Sequence, residues 1–254
     1  MIDVHVYVSR WPFRRLPLDE TAKLVRKLRE EGVAQAWAGS FDAVLHENVA
    51  GINARLAEEC KSRGEGLLVP FGTVNPTLPD WEEDLRRCAE AHQMPGIRLH
   101  PNYHGYQLDD PRFARLLAVA AERKLIVQIA VRMEDPRTQH PLVQAADVDC
   151  TPLVELLPKH PQAKIVLLSA LSHIRQDLAD KLAAAGAFFD IAYLEGVAGI
   201  ERALKTMPLA KLLFGSYAPY YVWESAKLKL KESAIGRAQA EAIAGENAKG
   251  MAKL

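Results

Sequence analysis

The chain has only three cysteines, Cys60, Cys88 and Cys150, far apart and without a C-x-x-C pair. That argues against a disulfide framework and fits a reducing compartment. No charge is in excess: Lys+Arg and Asp+Glu number 32 each, so the formal net charge is zero. Without a basic stripe there is no electrostatic case for nucleic acid. No apolar run approaches the ~20 residues of a membrane span. A β-type run begins at residue 2 and leaves no room for a signal peptide. No G-x-G-x-x-G follows a strand, so dinucleotide binding on a doubly wound sheet is unsupported. Internal repeats, low-complexity stretches and domain linkers are missing too. These absences point to a cytoplasmic protein with a small-molecule ligand, no nucleic-acid or membrane partner, and freedom to form a homo-oligomer.

What is present is an alternation. With 254 residues, 49% hydrophobic and 25% charged, the chain has the size and make-up of one (β/α)₈ barrel. Short apolar runs at Asp3–Val8, Ala34–Ala38, Leu67–Thr73, Gly96–His100, Leu125–Val131, Lys164–Ser169, Phe188–Ala192 and Lys211–Gly215 read as strands. Helical patterns separate them: Leu18–Glu31, Asn48–Arg63, Trp81–His92, Pro111–Arg123, Thr151–Pro158, Ile174–Ala185 and Val197–Thr206, with two more at Trp223–Lys231 and Gly236–Leu254. Asp110-Pro111 offers an N-cap followed by proline at the first helical position. Eight strands alternating with helices imply parallel β-α-β units, and a single-domain (β/α)₈ TIM barrel over residues 1–254 is the expected fold.

In such a barrel the site lies at the C-terminal strand ends. In the first strand Asp3, His5 and Tyr7 alternate, which sends all three side chains to one face. Strand four carries Arg98 and His100 between apolar Ile97 and Leu99, then Asn102, Tyr103 and His104. Strand five supplies Gln128, Ala130 and Arg132, strand six ends at Ser169, and strand eight runs into Gly215-Ser216-Tyr217. A buried arginine needs an anionic partner. Arg98 is therefore expected either to pair with Asp3 or to hold a substrate carboxylate. His140 lies in the polar loop Met133–Asp149 and could reach the pocket as part of a lid. Arg10-Trp11-Pro12-Phe13-Arg14-Arg15 puts cations and aromatics near the mouth, though a solvated loop is the simpler reading.

The chain resembles the amidohydrolase superfamily, in the branch of small amidohydrolase-2-type metal-dependent hydrolases. The resemblance rests on Asp3-x-His5, Phe71-Gly72-Thr73-Val74-Asn75-Pro76, Gly96 to Pro101, Leu108 to Phe113, Phe214-Gly215-Ser216 and the closing Glu246-Asn247-Ala248-Lys249-Gly250-Met251. It implies a barrel holding one or two divalent metals on two first-strand histidines, one histidine each from strands five and six, and a strand-eight aspartate. Of those positions only His5 keeps its type. Tyr7, Ala130, Ser169 and Tyr217 stand at the others. One imidazole with phenols and a hydroxyl is a poor set for a catalytic Zn²⁺, which takes about three protein ligands. The expectation is thus a hydrolase-like protein without the usual metal and with no cofactor. It would act on a small carboxylated lactone, ester or amide. His5, His100 and His104 are the candidate catalytic groups. Tyr7, Arg98, Asn102, Tyr103, Gln128, Arg132, His140, Ser169 and Tyr217 are the candidate substrate-binding groups. Two alternatives stay open. One is a non-catalytic small-molecule-binding descendant. The other is a relocated single Zn²⁺ site built from His5, His100 and His104, with His140 as an optional fourth member.

Overall fold

The apolar runs do form the strands of a barrel. The computed structural model describes residues 1–253. Its strands are β1 (Ile2–Val8), β2 (Gln35–Ser40), β3 (Leu68–Gly72), β4 (Gly96–Leu99), β5 (Ile126–Ala130), β6 (Lys164–Leu168), β7 (Phe188–Asp190) and β8 (Leu212–Leu213). They lie side by side in sequence order, each parallel to the next. The ends of the sheet meet: Val4 N–H donates to Phe214 O at 2.9 Å and Tyr217 N–H to His5 O at 2.8 Å. This is a (β/α)₈ barrel, and the doubly wound alternative is excluded.

The helices are α1 (Thr21–Glu30), α2 (Val49–Arg63), α3 (Trp81–Arg86), α4 (Pro101–His104), α5 (Pro111–Glu122), α6 (Leu153–Leu156), α7 (Gln176–Ala184), α8 (Gly199–Ala203), α9 (Glu224–Glu232), α10 (Arg237–Glu241) and α11 (Asn247–Lys253). Among the described residues no helix is long and apolar enough to cross a membrane. α1 buries Thr21, Leu24, Val25 and Leu28, one stripe at helical spacing, and its three aliphatic residues belong to the same core cluster as Val6 and Val8 of β1. α5 starts as its sequence dictates: the Asp110 carboxylate accepts from Arg112 N–H at 2.8 Å, with Pro111 at the first position.

Several expected spans differ, the last two strands among them, which shorten from Phe188–Ala192 and Lys211–Gly215 to β7 and β8. The turn after β4 is helical (α4). The segments expected at Thr151–Pro158 and Val197–Thr206 shrink to α6 and α8. The long C-terminal helix breaks at Gly245, and its expected last residue, Leu254, lies outside the described residues.

One end of the barrel is sealed. Ile2, Val4, Trp37, Phe71, Ile126 and Val166 form a cluster with Ala248 and Met251 of α11. Any opening is left to the C-terminal strand ends.

β1 departs from strict alternation in a way that matters for the site. Asp3 pairs with Ala36 and Val6 with Ala38, so β1 spends one residue more than β2 between those pairs. Such a bulge changes which face the next side chain takes. Asp3 turns outward, where its carboxylate accepts from Trp223 Nε1–H at 3.0 Å and from Ser216 N–H at 3.0 Å. His5 and Tyr7 turn inward.

Candidate active site

The C-terminal strand ends gather a hydrogen-bonded set around two histidines. His5 Nδ1 lies 2.6 Å from Asp190 Oδ2, and the other Asp190 oxygen accepts from Ser169 N–H at 2.8 Å. A carboxylate only accepts, so Nδ1 carries the proton of the neutral imidazole and Nε2 keeps its lone pair. Burial lowers the His5 pKa below its usual 6.5, although Asp190 pulls the other way. His100, at the end of β4, places Nε2 3.0 Å from the Tyr7 hydroxyl. Burial, with the neighbouring His104 and Arg98, holds His100 well below the ordinary histidine range. The same burial pushes the Tyr7 phenol up to about 12 and Tyr217 well above its usual value, so both stay neutral. Among the described residues His5 Nε2, His100 Nδ1 and Ser169 Oγ find no hydrogen-bond partner.

Arg98 is wholly buried beneath this set. It donates to Val6 O (2.6 Å), Trp37 O (2.9 Å), Val4 O (3.3 Å) and Gln128 Oε1 (2.8 Å), and Gln128 in turn donates to Val4 O at 2.8 Å. Its guanidinium carbon lies 4.5 Å from the centre of the Tyr7 ring. Gly39 makes room for it: a Cβ there would come within 2.8 Å of Nη1. The expected pair between Arg98 and Asp3 does not form. Asp3 is bonded on the outer face, and the guanidinium spends its donors on carbonyl oxygens of β1 and β2.

Above these groups lies an aromatic roof. Tyr217 stacks on His5 at 4.4 Å, and Tyr220 on Tyr217 at 4.8 Å. Phe41 stacks on Tyr7 at 4.5 Å, with the edge of Trp11 against Phe41 at 5.3 Å. Tyr217 O–H donates to Met133 O at 2.5 Å. His5, Tyr7, Gln128, Ser169 and Tyr217 have no exposed surface, and His100 has 1%. Three non-glycine residues at these strand ends take left-handed backbone: Ser9 (φ 64°), Ser169 (φ 55°) and Tyr217 (φ 59°). Such conformations cost about 1 kcal/mol or more each and cluster at functional sites.

The remaining candidates lie further out. His104 Nε2–H donates to Ala43 O at 2.8 Å, and its ring meets His100 edge-on at 5.7 Å. Tyr103 packs on the roof. Asn102 donates to Ala146 O at 3.0 Å and lines an outer cavity of about 500 Å³. A second cavity, of about 520 Å³, lies beside Ser9, Asp42 and Arg55. Neither touches His5, Tyr7 or His100. Arg132 is paired with Asp147, and His140 is exposed and stacks on Phe13 at 5.3 Å instead of reaching inward. The relocated zinc set is therefore not assembled, and no group of three or more His, Cys, Asp and Glu able to hold a metal occurs among the described residues.

Asp190, Glu134 and Tyr220 escaped the sequence reading. For Asp190 a signal existed, a lone carboxylate closing the apolar strand Phe188-Phe189-Asp190. Glu134 and Tyr220 are recognisable only through the loops that carry them.

A family model described as amidohydrolase matches residues 2–251. No curated protein matches. Among solved structures the chain is similar to 5-carboxyvanillate decarboxylase from Sphingomonas paucimobilis (13% identity, 100% of this chain and 99% of that one covered, TM-score 0.77). It is also similar to dihydroxybenzoic acid decarboxylase from Polaromonas sp. JS666, solved with bound manganese and the inhibitor 2-nitroresorcinol (13%, 100% and 96%, TM-score 0.73). A third is 4-oxalomesaconate hydratase from Rhodopseudomonas palustris (13%, 100% and 95%, TM-score 0.69). At such identities these likenesses speak for the fold. The bound manganese runs against the expectation of no cofactor.

Proposed function

The chain belongs to the amidohydrolase family, and on that premise we propose that it is a hydrolase-like acid–base enzyme that turns over a small uncharged carbonyl compound at the barrel mouth without a divalent metal. The observation that carries this reading is the buried His5–Asp190 pair with an unpartnered Nε2. A buried polar atom without a partner is destabilising by about 1–3 kcal/mol and calls for a ligand.

The roles follow from the protons. Asp190 fixes the His5 tautomer, so Nε2 can take a proton from water or from a substrate hydroxyl. The Tyr7 hydroxyl lies 3.0 Å from His100 Nε2 and 3.4 Å from Met133 Sδ, and the imidazole nitrogen is the better acceptor. With Tyr7 donating to His100 Nε2, His100 offers Nδ1–H to a developing oxyanion. Arg98, Arg132 and Arg14 already have partners, which removes the anchor for the expected carboxylated substrate and favours an uncharged one.

The residues present do not fit the manganese that a similar structure holds. Among the five ligand positions that the family resemblance implies, His5 alone keeps a ligand type, its Nε2 free and its Nδ1 on a carboxylate. Tyr7 and Tyr217 are neutral phenols with their own partners, Ala130 has no donor atom, and a fixed guanidinium lies under Tyr7. A catalytic metal takes about three protein ligands.

The test is a screen of lactones, esters and amides with and without chelator. The reading expects turnover that survives chelation and falls by about 10²-fold or more in His5→Ala. Turnover abolished by chelation and restored by manganese overturns it. A second reading, a binding protein without chemistry, is favoured by the complete burial of His5, Tyr7 and Tyr217. Ligand-dependent melting shifts without product would support that one.

A further inference from the structure

If the inner histidines do chemistry, as proposed, something must open over them, and one residue ties that cover down. Arg14, on the segment after β1, reaches two other loops at once. One guanidinium nitrogen pairs with the Glu134 carboxylate after β5, and another donates to the Tyr220 hydroxyl after β8 at 2.6 Å. Its guanidinium carbon also lies 4.9 Å from the centre of the Tyr220 ring. Tyr220 is the top of the stack that runs through Tyr217 to His5. On the same segment Trp11 sets its edge against Tyr220 and Phe41. The Glu134 side chain is 1% exposed and that of Arg14 42%.

The asymmetry in exposure decides the direction of opening. A carboxylate sealed in a protein is costly without its cation, whereas the half-exposed guanidinium loses little on swinging into water. Lifting the segment parts this ion pair and the Arg14–Tyr220 bond and uncovers buried Trp11, but no barrel strand needs to break. Once that pair parts, Tyr220 is held by ring contacts, while Tyr217 beneath it keeps its hydroxyl bond to Met133 O.

We propose that Arg14 is a latch: its bonds to Glu134 and Tyr220 hold the segment around Trp11 and the Tyr220–Tyr217 stack over His5 and His100, and their release admits the ligand. This rests on the reading of those histidines as the working site.

The experiment is diethyl pyrocarbonate labelling of the whole protein, read at each histidine by peptide mass spectrometry, with exposed His46 as the internal reference. The latch requires His5 and His100 to label at least about tenfold more slowly than His46, and about tenfold faster in Arg14→Ala than in the unaltered protein. Glu134→Gln should act in the same direction. Amide exchange in β4 to β6 should stay unchanged. Equal labelling of His5 in all three proteins overturns the latch, and so does a rise in exchange throughout the barrel, which would make Arg14 a brace of the whole fold. Labelling does not depend on turnover. Faster labelling in a protein with no turnover would keep the latch and remove the enzyme reading, while turnover with unchanged labelling would do the reverse.

Discussion

Asp190 holds two groups that have no substitute partner, the His5 ring and the Ser169 N–H. Asp190→Ala should lower unfolding free energy by roughly 2–4 kcal/mol, because both donors then stay buried and unpaired. A urea titration measures it. The histidines set the pH response. His5, His100 and His104 have folded pKa values below the 6.5 of an unfolded histidine. Between the folded and unfolded values the unfolded chain binds more protons, so this stability is complete above pH 6.5 and is lost as pH falls below it. Asp3, raised to about 6 by burial, works in the opposite sense between its unfolded 3.8 and that value. Three histidines outweigh one aspartate, so stability should fall from pH 7 to 5, and less steeply in His100→Gln. A flat or inverted profile in calorimetry would count against neutral buried histidines. Much of this residue set was legible in the sequence: Tyr7, Arg98 and His100 fell on inward positions by alternation, and Gln128, Ser169 and Tyr217 by their place on or at the ends of strands five, six and eight. Asp3 did not, because nothing in Ile2-Asp3-Val4-His5 marks the bulge that turns it outward.

At the scale of elements, the strands were readable because each is a short apolar run sealed on both faces. The connections were not, because their geometry depends on what they pack against. Asn102 falls on the helical turn α4 and His140 on a loop that bends over Phe13, and both thereby leave the centre of the mouth. The segment Arg10 to Arg15 looked like a solvated loop, yet Trp11 is 2% exposed and seated on the aromatic roof. The start of the β8 connection is equally constrained. A Cβ on Gly215 would lie 2.6 Å from Asp190 Oδ2 and 3.0 Å from the His5 Cβ. Gly215→Ala should therefore push the His5–Asp190 pair apart, at about 1–3 kcal/mol of stability. The His5 ring resonances should shift in an NMR spectrum, and an unshifted spectrum would contradict the close approach.

Across the whole molecule, Arg98 joins β1, β2, β4 and β5 from inside the barrel. Removing it in Arg98→Met takes the donor from the Val6 and Trp37 carbonyl oxygens and from Gln128 Oε1, while Val4 O keeps Gln128, for a loss of roughly 3–5 kcal/mol by chemical denaturation. Lysine would not restore it, since one ammonium cannot span those directions. This internal cation, the neutral phenols and the His5–Asp190 pair together describe the mouth of an amidohydrolase-family barrel, and the proposed chemistry there is acid–base chemistry of imidazole. The most direct test is metal content. The purified protein would be incubated with excess manganese or zinc, desalted and analysed by plasma mass spectrometry beside a His5→Ala variant. The account predicts less than about 0.1 equivalent of either metal in both proteins. About one equivalent retained, and lost in His5→Ala, would contradict it and put a metal at the centre of the site.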